Sequence, residues 1–238
     1  MKAAPLPFDE RAVEGLSDAL RTAMGKHWER RARSELRVAR TFALMVAPLT
    51  RVRADAQVIA LVARAVSDEE RHSALCRQLA EIYGGTEVAP PNVDDVILPA
   101  FGAKDERLEV AILVAGMCCI NETIATAWIE ACLAVATAPI ALAANRGHLR
   151  DEIDHARIGW AHLASDALTP AHRDELGAWV FPLLRANVPQ WEKPDPFLPE
   201  EGVPAHGQPS TADSRRAIQA AACTIILPGF AHVGIRAA

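Results

Sequence analysis

Two copies of the pattern Asp-Glu-x-x-His constrain this chain more than any other feature. One is Asp68-Glu69-Glu70-Arg71-His72; the other is Asp151-Glu152-Ile153-Asp154-His155. Each lies in a long stretch with helical periodicity. Positions i and i+3 of a helix share a face, so each Glu/His pair points one way. Each copy also follows an earlier helical stretch with a glutamate of its own, Glu35 before the first and Glu122 before the second, at similar separations. Two carboxylates and two imidazoles, joined by two further carboxylates and converging from four helices, make a ligand set for a pair of metal ions, with iron the leading candidate.

The punctuation of the sequence predicts helices throughout. Asp9 can cap a first helix that runs to about Gly25, and a second runs from near Lys26 to Ala47, stopped by Pro48. Asp55 opens a third that ends at Tyr83-Gly84-Gly85. A proline- and aspartate-rich loop from Thr86 to about Lys104 is long enough to cross from one end of a bundle to the other. Asp105 starts a fourth helix reaching about Ala136, and Pro139 suits the first turn of a fifth that runs to Leu168. Thr169-Pro170 opens a sixth that ends near Asn187. Residues 188–211 read as a proline-rich surface wrap, and a last helix spans about Ala212 to Ile226, ended by Leu227-Pro228-Gly229. No stretch alternates as a strand does. The expectation is one all-α domain over residues 1–238, with a metal-binding core at about 26–168 and C-terminal helices and wrap at 169–238.

Composition excludes some classes. A net charge of −5 is not the footprint of a nucleic-acid-binding protein. Five cysteines, an odd number with no Cys-x-x-Cys, read as small buried hydrophobes in a reducing cytosol. The N-terminal residues meet charge at Asp9-Glu10-Arg11 in place of an apolar signal core, so a cytoplasmic location is expected. Val110 to Ile129 is apolar enough to raise the question of a membrane, but Glu122 within it would be costly in lipid, so a buried helix and no membrane partner are expected. An alanine-rich helix face leaves a homodimer open.

Glu122 is the only charged side chain between Val110 and Ile129. A lone buried carboxylate costs several kcal/mol unless paired, protonated or metal-bound. Glu35 is preferred to Glu29 because Ala39, Phe42 and Ala43 continue its face as apolar, and Glu69 is preferred to Glu70 because Glu70 lies on a different face from His72. Asp68 and Asp151 are expected to accept the free N–H of a metal-bound histidine, across to the opposite helix. His148 stands one turn before Glu152, giving His148-x-x-x-Glu152-x-x-His155 on one face. Arg30 and Arg31, close to Glu35, are candidates to hold a substrate carboxylate.

The set Glu35, Glu69/His72, Glu122, Glu152/His155 resembles the ferritin-like di-metal carboxylate superfamily over roughly residues 26–168. The resemblance implies a ferritin-like four-helix bundle with additional flanking helices, holding two iron ions, manganese or a mixed Mn/Fe pair. His148 is similar to the third imidazole ligand of the p-aminobenzoate N-oxygenase-type di-iron oxygenases. Thr126, four residues after Glu122, is similar to the threonine of the oxygen-binding pocket in bacterial multicomponent monooxygenases, where it serves proton delivery. Cys76 occupies the offset from His72 that carries the radical tyrosine of ribonucleotide reductase small subunits, and the one tyrosine is Tyr83, so that branch is disfavoured. The lack of Cys-x-x-Cys knuckles argues against a typical rubrerythrin.

The resemblance therefore implies an oxygen-activating non-haem di-iron oxygenase, with O2 as co-substrate and a small organic molecule as substrate, N-oxygenation of an amine being its sharpest form. Such a cycle draws two electrons from outside. The chain has no flavin or nicotinamide fingerprint, so a reductase or ferredoxin partner is implied. A ferroxidase or peroxide-scavenging protein uses the same ligands without an organic substrate. A helical interaction module with a merely structural metal is a third alternative. Elemental analysis after iron-replete expression is expected to give two irons per chain; none would remove the metal pair.

Overall fold

The computed structural model describes residue 13 and residues 15–238, so the expected cap at Asp9 lies outside the described residues. Among the described residues the regular structure is helical, apart from one isolated bridge between Val203 and Gln208. Helix α1 spans Asp18–Arg51 without interruption. Neither Gly25 nor Pro48 ends it. Gly25 serves a close approach instead: a Cβ there would lie 3.0 Å from the Cα of Gly84 on the next helix. Pro48 deprives only the Leu44 carbonyl of its helical partner, on an exposed face where water can replace it.

Helix α2 (Ala56–Gly84) is capped by Asp55, whose carboxylate accepts from the Gln57 amide at 2.7 Å, and stops with Gly85 in the left-handed region. Helix α3 (Glu106–Val135) starts at Asp105, which accepts from the Arg107 amide, and relaxes into a π-helical segment, Ala115–Glu122, before resuming α geometry. Helix α4 (Pro139–Ala164) has its proline in the first turn and ends four residues before the expected Leu168. Helix α5 (Pro170–Trp191) is opened by a reciprocal cap between Thr169 and His172 and carries Pro182 and Pro189 inside it, outlasting the expected stop at Asn187. The last helix, α6, runs from Thr211 to His232 and passes Pro228 and Gly229 by way of a π turn at Ala222–Ile226.

Four of these helices surround the duplicated motifs. Short turns make α1/α2 and α3/α4 antiparallel pairs. Within the first pair Ser73 Oγ donates to the Ala32 carbonyl at 2.7 Å. Within the second, Gly159 lets α4 press onto α3, since a Cβ there would fall 2.5 Å from Cys119 Sγ and 2.8 Å from Cys118 Cβ. α2 and α4 also run antiparallel, matching His72 with Asp151 and Asp68 with His155. α2 and α3 therefore run in the same direction, and the non-helical segment 86–105 supplies the crossover that a parallel pair requires.

Apolar residues gather at both ends of this group. Trp28, Ala32, Leu79 and Ile140 fill one end; Phe42, Met45, Val62, Val114 and Ile158 fill the other. The polar motif residues lie between them. α5 and α6 shield the outer side of α3 and α4 through Leu176, Val180, Ile218 and Phe230. α3 is long and apolar enough to cross a membrane, yet 83 % of its most apolar window is buried inside the protein.

The α3/α4 contact has little slack. Gly159→Ala is expected to cost about 1–3 kcal/mol through overpacking and to lower the melting temperature by about 2–12 °C, as measured by thermal circular dichroism.

Candidate metal centre

The register of the four helices brings every expected ligand into one buried cluster. Glu35, Glu69, His72 and Glu152 each offer a ligand atom within 4.8 Å of the others, and so do Glu69, Glu122, Glu152 and His155. The two groups share Glu69 and Glu152. The motif glutamates are thus the carboxylates common to both positions, while Glu35 belongs to the first and Glu122 to the second. Each of the four carboxylates comes from a different helix: α2 and α4 supply the pair common to both groups, and α1 and α3 supply Glu35 and Glu122. The competing Glu29 and Glu70 are exposed.

The histidines are braced across the α2/α4 contact. His72 Nε2 lies 3.3 Å from Asp151 Oδ2, and His155 Nε2 lies 3.5 Å from Asp68 Oδ2. Arg71, inside the first motif, ties the aspartates together, donating to Asp68 at 2.6 Å and to Asp151 at 2.9 Å. Each ring therefore turns its Nδ1 inward. His155 Nδ1 is 3.0 Å from Glu69 and 3.3 Å from Glu152; His72 Nδ1 is 3.5 Å from Glu69 and 3.6 Å from Glu152. Holding one ring nitrogen on a carboxylate fixes the tautomer and frees the other to ligate.

His148 is fully buried against His72, with ring centroids 4.3 Å apart. It groups with Glu35 and Cys76 rather than with the four-residue set. Cys76 was expected only as a buried hydrophobe; its place one turn after His72, on the same face, is the signal that marks it. Thr126 does not join the site. Its hydroxyl donates at 2.8 Å to the Glu122 carbonyl one turn back, the ordinary alternative for a helical threonine.

Electrostatics describe what the cluster lacks. Burial, reinforced by Glu152 and Glu69, holds the Glu122 carboxyl well above the usual carboxylate range, so it keeps a proton. Burial lifts Glu35 to about 7 although Arg31 donates to it at 2.7 Å. Burial would push Glu69 up as well, but the His155 and His72 rings, whose Nδ1 atoms lie 3.0 and 3.5 Å away, outweigh it and bring it to about 2. Burial disfavours the charged form of His72, yet Asp151, Glu69 and Glu152 raise it to about 10; Asp68 and the same glutamates raise His155 further. His148, buried and facing the positive charges of His72 and Arg31, is held neutral. Without metal the centre is neutralised by protons. Glu69 Oε2, His72 Nδ1 and His148 Nδ1 are buried and have no hydrogen-bond partner. Carboxylate and imidazole donors of this kind fit iron or manganese.

A cavity of about 670 Å³ opens onto these carboxylates between α1 and α3. Arg31, Met117, Asn121, Trp128 and Trp191 line it, and the wrap after α5 covers it. Asp195 of that wrap holds His27 at 2.8 Å and Arg30 at 2.6 Å. Arg31 lies over the Trp128 ring, 4.6 Å from its centroid. Asn121, in the π segment, donates to the Gly116 carbonyl and to Asn187 and accepts from Trp191. Sequence periodicity gave no hint of Asn121, of either tryptophan or of the wrap as parts of the site.

Metal must displace the protons that His72 and His155 hold and those that burial favours on Glu35 and Glu122. Loading at pH 7 is expected to release more than one proton per chain, read by calorimetry in buffers of different ionisation enthalpy. The raised Glu35, Glu122 and His72 each favour the protonated fold. The metal-free protein should therefore lose stability as pH rises from about 7 to 10, above the range in which His27, His148 and His162, held neutral by burial, act the other way, and thermal melts across that range check it.

Comparison with protein-family models, with curated proteins and with solved structures found no match.

Proposed function

We propose that the four helices form a ferritin-like bundle and that the chain is a non-haem di-iron oxygenase acting on a small organic substrate, with N-oxygenation of an amine its sharpest form. The observation that carries this reading is the cavity. It has the volume of a small-molecule site and ends on the metal-facing carboxylates. A protein that only oxidises iron or consumes peroxide needs no more than a narrow channel to the same ligands.

Glu35, His72 and His148 would hold one ion and Glu122 and His155 the other, with Glu69 and Glu152 between them. Iron, when bound, would supply the reduction of O2, one oxygen atom entering the substrate and the other leaving as water with two electrons from an external reductase or ferredoxin and two protons from solvent. The chain's own residues do the rest. Asp68 and Asp151 hold the imidazoles in one tautomer. Arg31 fixes Glu35 and places a guanidinium in the cavity wall, its Nη1 buried without a partner. Trp128 and Trp191 offer flat apolar walls, and the wrap pinned by Asp195 keeps bulk water off the carboxylates.

The test supplies anaerobically iron-loaded protein with O2, a chemical reductant and a set of small aryl and alkyl amines. Expected are amine-stimulated O2 uptake and an N-oxygenated product by mass spectrometry. Ala125→Trp, which fills the cavity beside Glu122, should lower that uptake about tenfold or more, a barrier change of about 1.4 kcal/mol, at unchanged iron content. Ferric mineral formed at a rate that no organic compound alters would overturn the oxygenase reading in favour of a ferroxidase.

A further inference from the structure

Cys76 extends the ligand face of α2 by one turn beyond His72 and is fully buried. Its Sγ lies 4.0 Å from His148 Nε2. One ligand atom each of Glu35, Cys76 and His148 lies within 4.8 Å of the other two. An ion about 2.3 Å from a sulfur and about 2.1 Å from an imidazole nitrogen spans such a gap. His148 Nδ1 has no hydrogen-bond partner, and its Nε2 is the atom that meets Cys76 Sγ. A buried cysteine ordinarily serves as a small hydrophobe, and Cys76 does belong to the apolar cluster of Trp28, Ala32 and Leu79 at one end of the core. That role requires no sulfur beside an unclaimed imidazole and a carboxylate.

Charge balance points the same way. Glu35, Glu69, Glu122 and Glu152 with a Cys76 thiolate carry five negative charges. Two divalent ions and the Arg31 guanidinium beside Glu35 carry five positive ones. A buried centre of zero net charge avoids the penalty that an unbalanced one incurs.

We propose that Cys76 is a metal ligand: its thiolate, together with His148, completes the first position on the Glu35 side, so the two positions carry unlike donor sets. The inference rests on the metal pair described above. Binding exchanges the thiol proton for the ion; the S–H bond breaks, a metal–sulfur bond forms, the proton leaves to solvent and no electron moves. The second position keeps Glu122 and His155 with the shared carboxylates. The sulfur makes the first position the softer one, suited to iron(II), cobalt or zinc ahead of manganese.

Cobalt(II) loading of the full chain tests this. The expected result is a near-ultraviolet thiolate-to-cobalt charge-transfer band in the parent protein. Cys76→Ala and Cys76→Ser should both lose the band. His155→Ala should keep it while binding one cobalt fewer. Two cobalt ions per chain with visible ligand-field bands and no charge-transfer band would overturn the Cys76 assignment and leave the metal pair standing, as would a band that survives in Cys76→Ala. No cobalt bound at all would remove the metal pair and this assignment with it.

Discussion

Placing four carboxylates in the middle of a helical core is the constraint on which the rest of this structure depends. Glu35, Glu69, Glu122 and Glu152 are all buried, between apolar layers built around Trp28 at one end and Phe42 at the other. Several kcal/mol per uncompensated charge would exceed the stability of an ordinary domain if these groups were left bare. The protein meets the cost locally. Burial favours the protonated Glu122, Arg31 lies on Glu35, and the outward histidine nitrogens face Asp68 and Asp151. A divalent ion can take the place of the protons, while Arg31 and the two aspartates stay where they are.

Cross-bracing explains why α2 and α4 must be antiparallel and in this register. Asp68 serves the histidine of the second motif and Asp151 that of the first, with Arg71 spanning both. A slip of one turn would break both contacts and strand the aspartates. That antiparallel register, combined with two short hairpin turns, leaves α2 and α3 parallel and makes the long segment 86–105 a necessity of topology. The π segment in α3 is the matching local adjustment. It ends at Glu122, and Asn121 within it holds the Gly116 carbonyl with its side chain. A π turn is uncommon and is found mostly where function needs a residue re-aimed.

The parts legible in the sequence were those set by strong local chemistry. Caps at Asp55, Asp105 and Thr169 and the stop at Gly84-Gly85 mark helix ends because each satisfies backbone groups in its own neighbourhood. The residues of the buried Glu/His cluster could be read because periodicity fixes which side chains share a face. What could not be read depends on a partner helix or on distant chain. Gly25 looks like a stop until Gly84 lies against it, and Pro48 and Pro228 look like breaks until the surrounding helix shows room for them. That Glu69 and Glu152 are common to both groups depends on how four helices meet, which no single helix encodes. The cavity walls come partly from the wrap, whose residues carry no periodicity at all.

The two halves of the site began from similar sequence and are chemically unequal. Around Glu35 stand Arg31, Cys76 and His148, a cation and two further donors. Around Glu122 stand only the shared carboxylates, His155 and apolar helix. A symmetric pair would treat its two ions alike. Here one ion would be held by more nitrogen and sulfur, and the other would be left with fewer protein donors and room for exogenous ligands. The cavity reaches both glutamates, and its cationic wall, Arg31, is the one bonded to Glu35 and stacked over Trp128. A guest held there would lie beside the better-held ion while the less crowded one faces open space. On the proposed reading, any division of labour between the two ions would follow from the donor count of each half rather than from any single residue.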